Sequence, residues 1–509
     1  MSAQPQDLAP STRPGQARHR ICVARGDGIG PEITDAVLHI LREAGTPVEF
    51  ESLELGERAY RAGHSAGIPD AAWATIAARG VLLKGPITTP QGGGYKSVNV
   101  TLRKALGLYA NVRPCIALHP YVPSLHPGMD VVIVRENEED TYGGIEHRQT
   151  DEVVQCLKLI SRPGCERVIR YAFEYARRHG RRKVTCLTKD NIMKLTDGLF
   201  HKVFDSIAGE YPELAAEHRI IDIGAARLAT RPRDFEVIVT LNLYGDILSD
   251  IAAELAGSIG MAASANIGSS LAMFEAVHGS APDIAGKNVA NPSGLLLAAL
   301  MMLEHLGEHD TAVLIHNAWL RTLEEGLHTA DLMNETTSRR CVGTREFAHA
   351  VATRLGLLPQ HLAPRRVPAA TDVPTRAPNG GAQPSVTSIA SPPRTRADKR
   401  GVGIDVFLDW DEGTRDTTRL AQRLQAASGD DMRLALITNR GVRVWPDGHP
   451  QTLRTDHWRC RFLASAGRDD PMALLALQRR ILAAGLDIIK TEHLYTFDGE
   501  RGYSAAQGE

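Results

Sequence analysis

The sequence lacks long hydrophobic runs, an excess of one charge and any paired cysteine motif. No apolar stretch approaches the ~20 residues of a membrane-spanning helix, so we expect no membrane partner. The formal net charge is −2, which offers none of the basic surface that nucleic acid requires. The seven cysteines show no CxxC pair and no His/Cys spacing suited to zinc, which predicts reduced thiols in a cytoplasmic protein.

The chain is long enough for two or three domains, and its composition changes along its length. With 509 residues, of which 43% are hydrophobic and 23% charged, it has the makeup of a globular protein. Residues 1–20 have no apolar run, so we expect a disordered tail rather than a secretory signal. Residues 362–400 are rich in Pro, Ala and Ser and predict a linker between a catalytic region at 21–361 and a C-terminal domain at 401–509.

The long region before the linker alternates short apolar runs with helical patterns. This alternation predicts an α/β fold with a largely parallel sheet, in which the apolar run at 21–24 is the first strand. A Gly-rich loop follows at 26–30, but Pro31 stands where the Rossmann GxGxxG fingerprint needs its third glycine. The sequence therefore predicts a strand–turn–helix unit here and not a Rossmann site.

The C-terminal domain shows a different order of elements. From residue 402 the patterns run strand, helix, strand, strand, helix, strand in about 110 residues. This order predicts an α+β domain of the ferredoxin-like type.

Two carboxylates form the sharpest local signal for a metal. Asp246 and Asp250 lie four residues apart where a predicted strand gives way to a helix, which puts both on one helix face. Mg²⁺ takes one or two such carboxylates together with substrate oxygens and water. On spacing alone, an N-terminal capping acid beside a solvated one is the favoured interpretation of the two residues.

Arg103, Arg113 and Arg135 form a second group, which predicts a substrate that carries several carboxylates. Guanidinium is suited to bidentate carboxylate binding, and Arg135 follows a predicted strand, where ligands of open α/β sheets bind. Tyr142 and Lys189 are candidates for proton transfer. Taken singly, each of these five residues is more often an ordinary side chain than a functional one.

The motifs together are more specific than any one of them. Residues 21–360 resemble the isocitrate/isopropylmalate family of β-decarboxylating dehydrogenases, with the tail similar to the C-terminal extension of some bacterial isocitrate dehydrogenases. The segments that carry the resemblance are GDGIGPE at 26–32, LKGPITTP at 83–90, SVNVTLRK at 97–104, YANVRP at 109–114, RENEEDTYGGIEH at 135–147, TKDNIMK at 188–194, NLYGDILSD at 242–250, ANIG at 265–268, HGSAPDIAGKNVANP at 278–292, VGIDVF at 402–407, WRCRFL at 458–463 and FDGERGYSAAQGE at 497–509.

The resemblance implies a two-domain fold distinct from the Rossmann fold, and a homodimer or larger assembly whose active sites are shared between subunits. It implies a metal-dependent decarboxylation of isocitrate, with Mg²⁺ or Mn²⁺. Tyr142 would act as the acid, and Lys189 in proton transfer from the partner subunit. The implied sets are substrate binding by Ser97, Asn99, Arg103, Arg113, Arg135, Tyr142 and Lys189, metal binding by Asp222, Asp246 and Asp250, and cofactor binding by Thr88, Asn191, Glu275, His278, Gly279, Ser280, Ala281, Pro282, Asp283, Ile284 and Asn291.

Within the family, polar Ser97 and Asn99 favour isocitrate over the alternatives, homoisocitrate and 3-isopropylmalate. A non-catalytic regulatory subunit is the alternative from another class, which the presence of every implied acid–base and metal residue disfavours. For the cofactor we expect NAD rather than NADP. NADP enzymes of this family carry a Lys-Tyr pair at the positions of Asp283 and Ile284, and a carboxylate would repel the 2′-phosphate.

Overall fold

The computed structural model describes residues 19–89, 97–367, 396–465 and 470–506. The predicted tail, except for its last two residues, and most of the predicted linker lie outside these ranges. The described chain divides into two compact units. The first contains the sequence motifs up to residue 142 and from 159 to 192, and continues from 197; the second joins the C-terminal domain to residues 143–158 and 193–196.

The strands and helices up to residue 367 alternate as the sequence predicts. The strands are β1 (His19–Ala24), β2 (Val48–Leu53), β3 (Val81–Lys84), β4 (Ala110–Ile116), β5 (Asp130–Glu136), β6 (Glu146–Arg148), β7 (Val154–Cys156), β8 (Lys183–Thr188), β9 (Ala215–Ile220), β10 (Val237–Thr240), β11 (Ala263–Ile267), β12 (Ala272–Ala276), β13 (Leu327–His328) and β14 (Arg340–Cys341). The helices are α1 (Gly30–Glu43), α2 (Glu57–Arg61), α3 (Asp70–Arg79), α4 (Val98–Ala105), α5 (Arg162–Arg178), α6 (Thr196–Ala208), α7 (Ile221–Thr230), α8 (Asn242–Ala256), α9 (Ser293–His305), α10 (His309–Glu324) and α11 (Thr344–Ala352). Among the described residues, no helix is long and apolar enough to cross a membrane.

One mixed sheet forms the centre of the first unit. Its strand order in the described residues is β2-β1-β3-β12-β11-β4-β5-β10-β8-β9. Both wings are parallel, but the neighbours from β12 to β5 pair antiparallel, so the sheet is less parallel than the alternation of elements predicts. The alternation of strands and helices in the sequence predicts that helices connect the strands. It does not predict the order or direction of the strands, because these depend on pairing between distant segments.

The antiparallel pairing of β4 with β5 aligns residues of the site. Asn111 lies opposite Arg135, and Arg113 lies two residues farther along β4. Side chains alternate between the faces of a sheet, so Asn111, Arg113 and Arg135 all project from the same face. This register brings two of the three predicted arginines together, although they are 22 positions apart in the chain.

The C-terminal domain contains β15 (Lys399–Asp409), α12 (Thr417–Ser428), β16 (Met432–Asn439), β17 (Val442–Trp445), β18 (His457–Ala464), α13 (Pro471–Ala483), β19 (Asp487–Phe497) and β20 (Glu500–Arg501). Its sheet order is β17-β16-β18-β15-β19-β20, with antiparallel neighbours throughout the described strands. The inner order β16-β18-β15-β19 is that of the ferredoxin-like split βαβ sandwich, as predicted. Its own buried core includes Trp458, Phe462 and Leu424.

A short hairpin, β6 with β7, belongs to the same unit as this domain. Its Thr150 hydroxyl donates to Asp456 at 2.5 Å, and the Asp456 amide donates to Glu152 at 3.0 Å. Asp456 is only 4% exposed, and its carboxylate is satisfied by the Thr150 hydroxyl and by the Glu152 amide, which donates to the other oxygen at 3.3 Å. The hairpin and the residues around 456 therefore hold each other through reciprocal hydrogen bonds.

Candidate active site

The described residues place two of the three predicted arginines, Arg113 and Arg135, beside one carboxylate. Asp246, in the first turns of α8, accepts a hydrogen bond from Arg135 and lies 3.3 Å from a guanidinium nitrogen of Arg113. Arg113 also approaches Asp250 at 3.5 Å. Gly245 makes this approach possible, because a Cβ there would lie 2.6 Å from the Cγ of Arg135. The sheet arginines and the helix carboxylates thus meet directly.

Tyr142 belongs to the same cluster. Its hydroxyl donates to the second oxygen of Asp246 at 2.5 Å, and the guanidinium of Arg135 lies 4.8 Å from the centre of its ring. Burial, countered by Arg135 and reinforced by Asp246, raises the pKa of Tyr142 above its ordinary value. The phenol is therefore protonated at neutral pH, which is the state that a general acid needs.

The charged side chains of this cluster shift one another's pKa. Burial first, then the neighbouring Arg113 and Arg103, lower the pKa of Arg135 to about 9. Burial by itself would raise the pKa of Asp246, but Arg135 and Arg113 hold it below its usual range. Since Arg113 and Arg103 lower the pKa of Arg135, an additional anion beside them would relieve the repulsion among the three guanidiniums.

A buried polar network supports the cluster from the sheet side. Glu275 on β12 is fully paired, with Lys84 at 2.8 Å and Arg103 at 2.9 Å, and these cations hold its pKa far below the ordinary value although burial opposes them. Asn266 donates to Glu275 at 2.8 Å and accepts from Asn111 at 2.7 Å. This network fixes Arg103 and β4 in place. The sequence predicted cofactor binding for Glu275, but nothing in the pattern showed its pairing with Lys84.

Helix α4 brings the predicted substrate residues Ser97 and Asn99 to Arg103. Ser97 caps the helix, accepting from the Val100 amide at 3.4 Å. Among the described residues, the side-chain oxygen of Asn99 and the Nε of Arg103 are buried without a hydrogen-bond partner. Asn99 and Arg103 lie one helical turn apart, so their unsatisfied groups offer one donor and one acceptor to a polar ligand.

Lys189 and Asp222 form a second pair. The Lys189 ammonium donates to Asp222 at 3.0 Å, and this bond is the main reason that the pKa of Asp222 lies below its ordinary value. The pair does not include the groups of the Asp246 cluster. The predicted metal ligands are thus found in two places: Asp246 and Asp250 on α8, and Asp222 at the start of α7.

The loop after β12 packs against the Gly-rich loop after β1. The Ile29 amide donates to the Ser280 carbonyl at 2.9 Å, and a Cβ on Gly28 would lie 2.0 Å from that oxygen. Thr88 and Ser280 share a hydrogen bond of 2.7 Å between their hydroxyls. The predicted cofactor residues Thr88 and 278–281 are therefore neighbours, joined by a glycine that no other residue could replace without displacing the loop.

The other predicted cofactor residues differ in burial and in hydrogen bonding. Asn291 is buried, with its amide bound to Asp331 at 2.9 Å and its oxygen to the Ser293 amide. His278 is partly buried, desolvation lowers the pKa of its imidazole, and its Nε2 has no partner among the described residues. Asp283 and Asn191 are exposed. The residues Gly279, Pro282 and Ile284 complete the loop, with Ile284 packed against the main core.

The model of the isocitrate/isopropylmalate dehydrogenase family matches residues 20–351, and that of the bacterial isocitrate dehydrogenase C-terminal domain matches residues 399–509. The chain belongs to the isocitrate/isopropylmalate dehydrogenase family, and carries the C-terminal domain of the bacterial isocitrate dehydrogenases.

The similar proteins span nearly the whole chain. "Isocitrate dehydrogenase [NADP]" of Rickettsia bellii is 51% identical over 491 residues, 96% of this chain and 99% of that protein. The protein of the same name from Thermus thermophilus is 45% identical over 498 residues, 97% of this chain and 96% of its own. The crystal structure of the TT0538 protein from Thermus thermophilus superposes with a TM-score of 0.86 at 44% identity, covering 97% of this chain and 96% of that one.

These relatives contradict the expectation of NAD as acceptor. Both full-length relatives are named as NADP enzymes. That expectation rested on Asp283 as the residue that selects the cofactor. Asp283 is exposed, so water and salt screen the charge of its side chain. Cations are available elsewhere in the first unit: Arg340 and Arg345 line a cavity of about 500 Å³ between β14 and α11. A pair of residues in one loop is therefore not enough to decide between the two cofactors.

Proposed function

We propose that this protein catalyses the oxidative decarboxylation of isocitrate to 2-oxoglutarate and CO₂, with NADP as hydride acceptor and a divalent metal. The observation that carries the proposal is the convergence of Arg113, Arg135 and Tyr142 on Asp246. A tricarboxylate substrate supplies the anionic groups that three guanidiniums favour. The names of the full-length relatives support both the substrate and NADP.

The donor set around α8 fits a hard divalent cation. Asp246 and Asp250 project carboxylates one turn apart, and the Asp250 side chain is 53% exposed. Oxygen ligands of this kind suit Mg²⁺ or Mn²⁺, and Asp222 is the third proposed ligand, from a partner subunit. When bound, the metal would supply Lewis-acid stabilisation of the negative charge that develops on the substrate oxygen.

The side chains of the protein would bind the substrate and transfer its protons. Arg103, Arg113 and Arg135 bind carboxylates, and the unsatisfied oxygen of Asn99 accepts from the substrate or the bound cofactor. Lys189, from the partner subunit, takes part in removing the hydroxyl proton as the hydride passes to the nicotinamide. After CO₂ leaves, the protonated Tyr142 gives its proton to the carbon that carried the carboxylate, so that protons and charge balance.

The quaternary structure is part of the same proposal. Lys189 bonds to Asp222, and Tyr142 bonds to Asp246, as two separate pairs among the described residues. A homodimer would join one chain's pair to the other's cluster, as the family resemblance implies. We also propose a cytoplasmic location, which the seven free thiols fit.

A direct assay tests the proposal. The purified chain is supplied with Mn²⁺, with NADP or NAD, and with isocitrate, homoisocitrate or 3-isopropylmalate in turn. We expect turnover with isocitrate and NADP, and formation of 2-oxoglutarate. Turnover only with another substrate would overturn the substrate assignment, and no turnover from a folded dimer would favour a regulatory subunit.

A further inference from the structure

Two histidines and an aspartate outside the proposed active cluster lie close together. Asp190 follows β8, His201 lies on α6 and His218 on β9. One ligand atom of each lies within 4.8 Å of the ligand atoms of the other two. The residues are far apart in the chain, and only the fold brings them to one place, which is why no spacing in the sequence predicts a zinc site.

The contacts among the three define their arrangement. The Nδ1 of His201 is bonded to one oxygen of Asp190 at 2.6 Å, and the Nε2 of His218 lies 3.8 Å from the other oxygen. The two imidazole rings stack with centroids 3.5 Å apart and planes 18° from parallel. The stacking aligns both rings beside the same carboxylate.

These separations suit a small tetrahedral ion. Zinc–ligand bonds of roughly 2.0–2.2 Å place tetrahedral ligand atoms about 3.3 Å from each other. The observed 2.6 and 3.8 Å lie on either side of that value, so side-chain rotation of less than about 1 Å would open the hydrogen bond into a coordination shell. The Thr188 hydroxyl, 2.8 Å from the Nε2 of His218, is a further oxygen beside these ligands.

The types of ligand atom and their exposure to solvent indicate which class of ion would bind. Imidazole nitrogen is preferred by Zn²⁺ and its late first-row neighbours, whereas Mg²⁺ prefers oxygen. The side chains of Asp190, His201 and His218 are 19%, 28% and 17% exposed, which leaves a path for the ion and room for a water as fourth ligand. Asp205, 3.5 Å from the Nε2 of His201, adds negative charge and orients that ring from behind.

We infer that Asp190, His201 and His218 form a binding site for a zinc-class divalent ion, distinct from the Mg²⁺ or Mn²⁺ site proposed at Asp246 and Asp250. The ion replaces the proton in the Asp190–His201 hydrogen bond. Asp190 lies between Lys189, to which the proposed function gives a part in proton transfer, and Asn191, for which the family resemblance implies cofactor binding. An ion held here fixes the segment that carries both of them and so changes turnover, a consequence that rests on the proposed function. The binding itself does not depend on it.

The test measures binding to the full chain without substrate. In excess Mg²⁺, which occupies the hard-oxygen site, Zn²⁺ is titrated by calorimetry, and Co²⁺ is followed by its absorption. We expect one Zn²⁺ per chain, and a Co²⁺ spectrum with the intensity of a four- or five-coordinate nitrogen-containing site. His201→Gln and His218→Gln should each weaken Zn²⁺ binding by at least ~10-fold, since ligand loss matters more than the loss of outer partners.

His349→Gln is the matched control, because His349 is an exposed histidine on α11. It should leave the Zn²⁺ affinity unchanged. Asp190→Asn is a third ligand variant, and circular dichroism checks that each variant is folded. Unchanged affinity in the folded ligand variants, or an equal loss in His349→Gln, would overturn the site. Because no substrate is present, this result is independent of whether isocitrate is turned over.

Discussion

Glu152 in the hairpin forms a bidentate ion pair with Arg415 of the C-terminal domain, with nitrogen–oxygen distances of 2.8 and 3.0 Å. The backbone carbonyl of Arg454 accepts from the same guanidinium at 2.6 Å, and the Glu152 carboxylate also accepts from the Asp456 amide. The chain segment that carries this hairpin begins at Gly143, directly after Tyr142, the proposed acid. The C-terminal domain therefore fixes a segment that continues directly from a proposed catalytic residue.

The hydrogen bond between Thr150 and the buried Asp456 predicts an effect on stability. Thr150→Val removes the hydroxyl that donates to Asp456 and keeps the side-chain shape, so a buried carboxylate loses a donor. We expect a loss of about 1–3 kcal/mol in the free energy of unfolding. Urea denaturation measures it, with the exposed Thr414→Val in the same unit as control. Equal stability of the two variants would show that the hydrogen bond contributes nothing.

Removing the C-terminal domain tests its role in catalysis. The truncation should end at residue 367, because the Arg365 amide donates to Asn317 at 2.8 Å and the Gln360 amide to Glu324 at 2.6 Å. We expect a folded enzyme that retains much of its turnover, since all proposed catalytic groups precede residue 300. Without Arg415 and Asp456, the hairpin should be cut faster by protease. Complete loss of turnover in a folded, dimeric truncation would contradict this.

Subunit mixing tests the shared site. Tyr142→Phe and Lys189→Met should each be inactive as homodimers, the first lacking the acid and the second the partner's amine. Hybrids place both defects in one site and leave the other intact, so mixed preparations should recover up to about a quarter of wild-type activity at statistical exchange. Mass spectrometry verifies the exchange. Exchange without recovery would show that each site is built within one chain.

Substitutions in the cavity beside α11 test whether its arginines bind the 2′-phosphate of NADP. If Arg345 meets the 2′-phosphate, Arg345→Gln should raise the KM for NADP at least ~10-fold with kcat little changed, the pattern of lost uniform binding. Arg339→Gln is a control outside the residues that line the cavity. An unchanged KM in Arg345→Gln and in Arg340→Gln would exclude the cavity as the phosphate site.

A buried acid predicts a pH dependence of stability. Burial raises the pKa of Glu136 to about 7 from an unfolded value of 4.5, although the amides of Glu138 and Glu139 donate to it. Its folded pKa is the higher one, so its contribution to stability is present below pH 4.5 and is lost as pH rises through 7. Glu136→Gln should therefore stabilise the protein at pH 8, by about 1–3 kcal/mol, and much less at pH 5. Urea unfolding at both pH values measures this, with the exposed Glu146→Gln as control.

How much the sequence predicts depends on the range of the interactions. The α/β class, the site arginines and the C-terminal βαββαβ order follow from local patterns and motifs. The pairing of Lys84 with Glu275, the meeting of the hairpin with Asp456 and the cluster at Asp190 join distant segments, so no spacing reveals them. The choice of NAD failed for a related reason: it took one loop position, Asp283, as decisive although a phosphate can be met by cations from other elements.

The antiparallel register of β4 and β5 has a consequence for how specificity can change. Arg113 and Arg135 are set by a ladder of backbone hydrogen bonds, and a slip of one residue would send one strand's arginine to the opposite face. Ser97 and Asn99 stand on α4, a separate short helix whose cap and turn can vary without disturbing that ladder. In the proposed function, the arginines that bind the substrate carboxylates lie on the sheet, whereas the residues that distinguish substrates lie at α4, so a different side-chain preference in the substrate can arise on α4 alone.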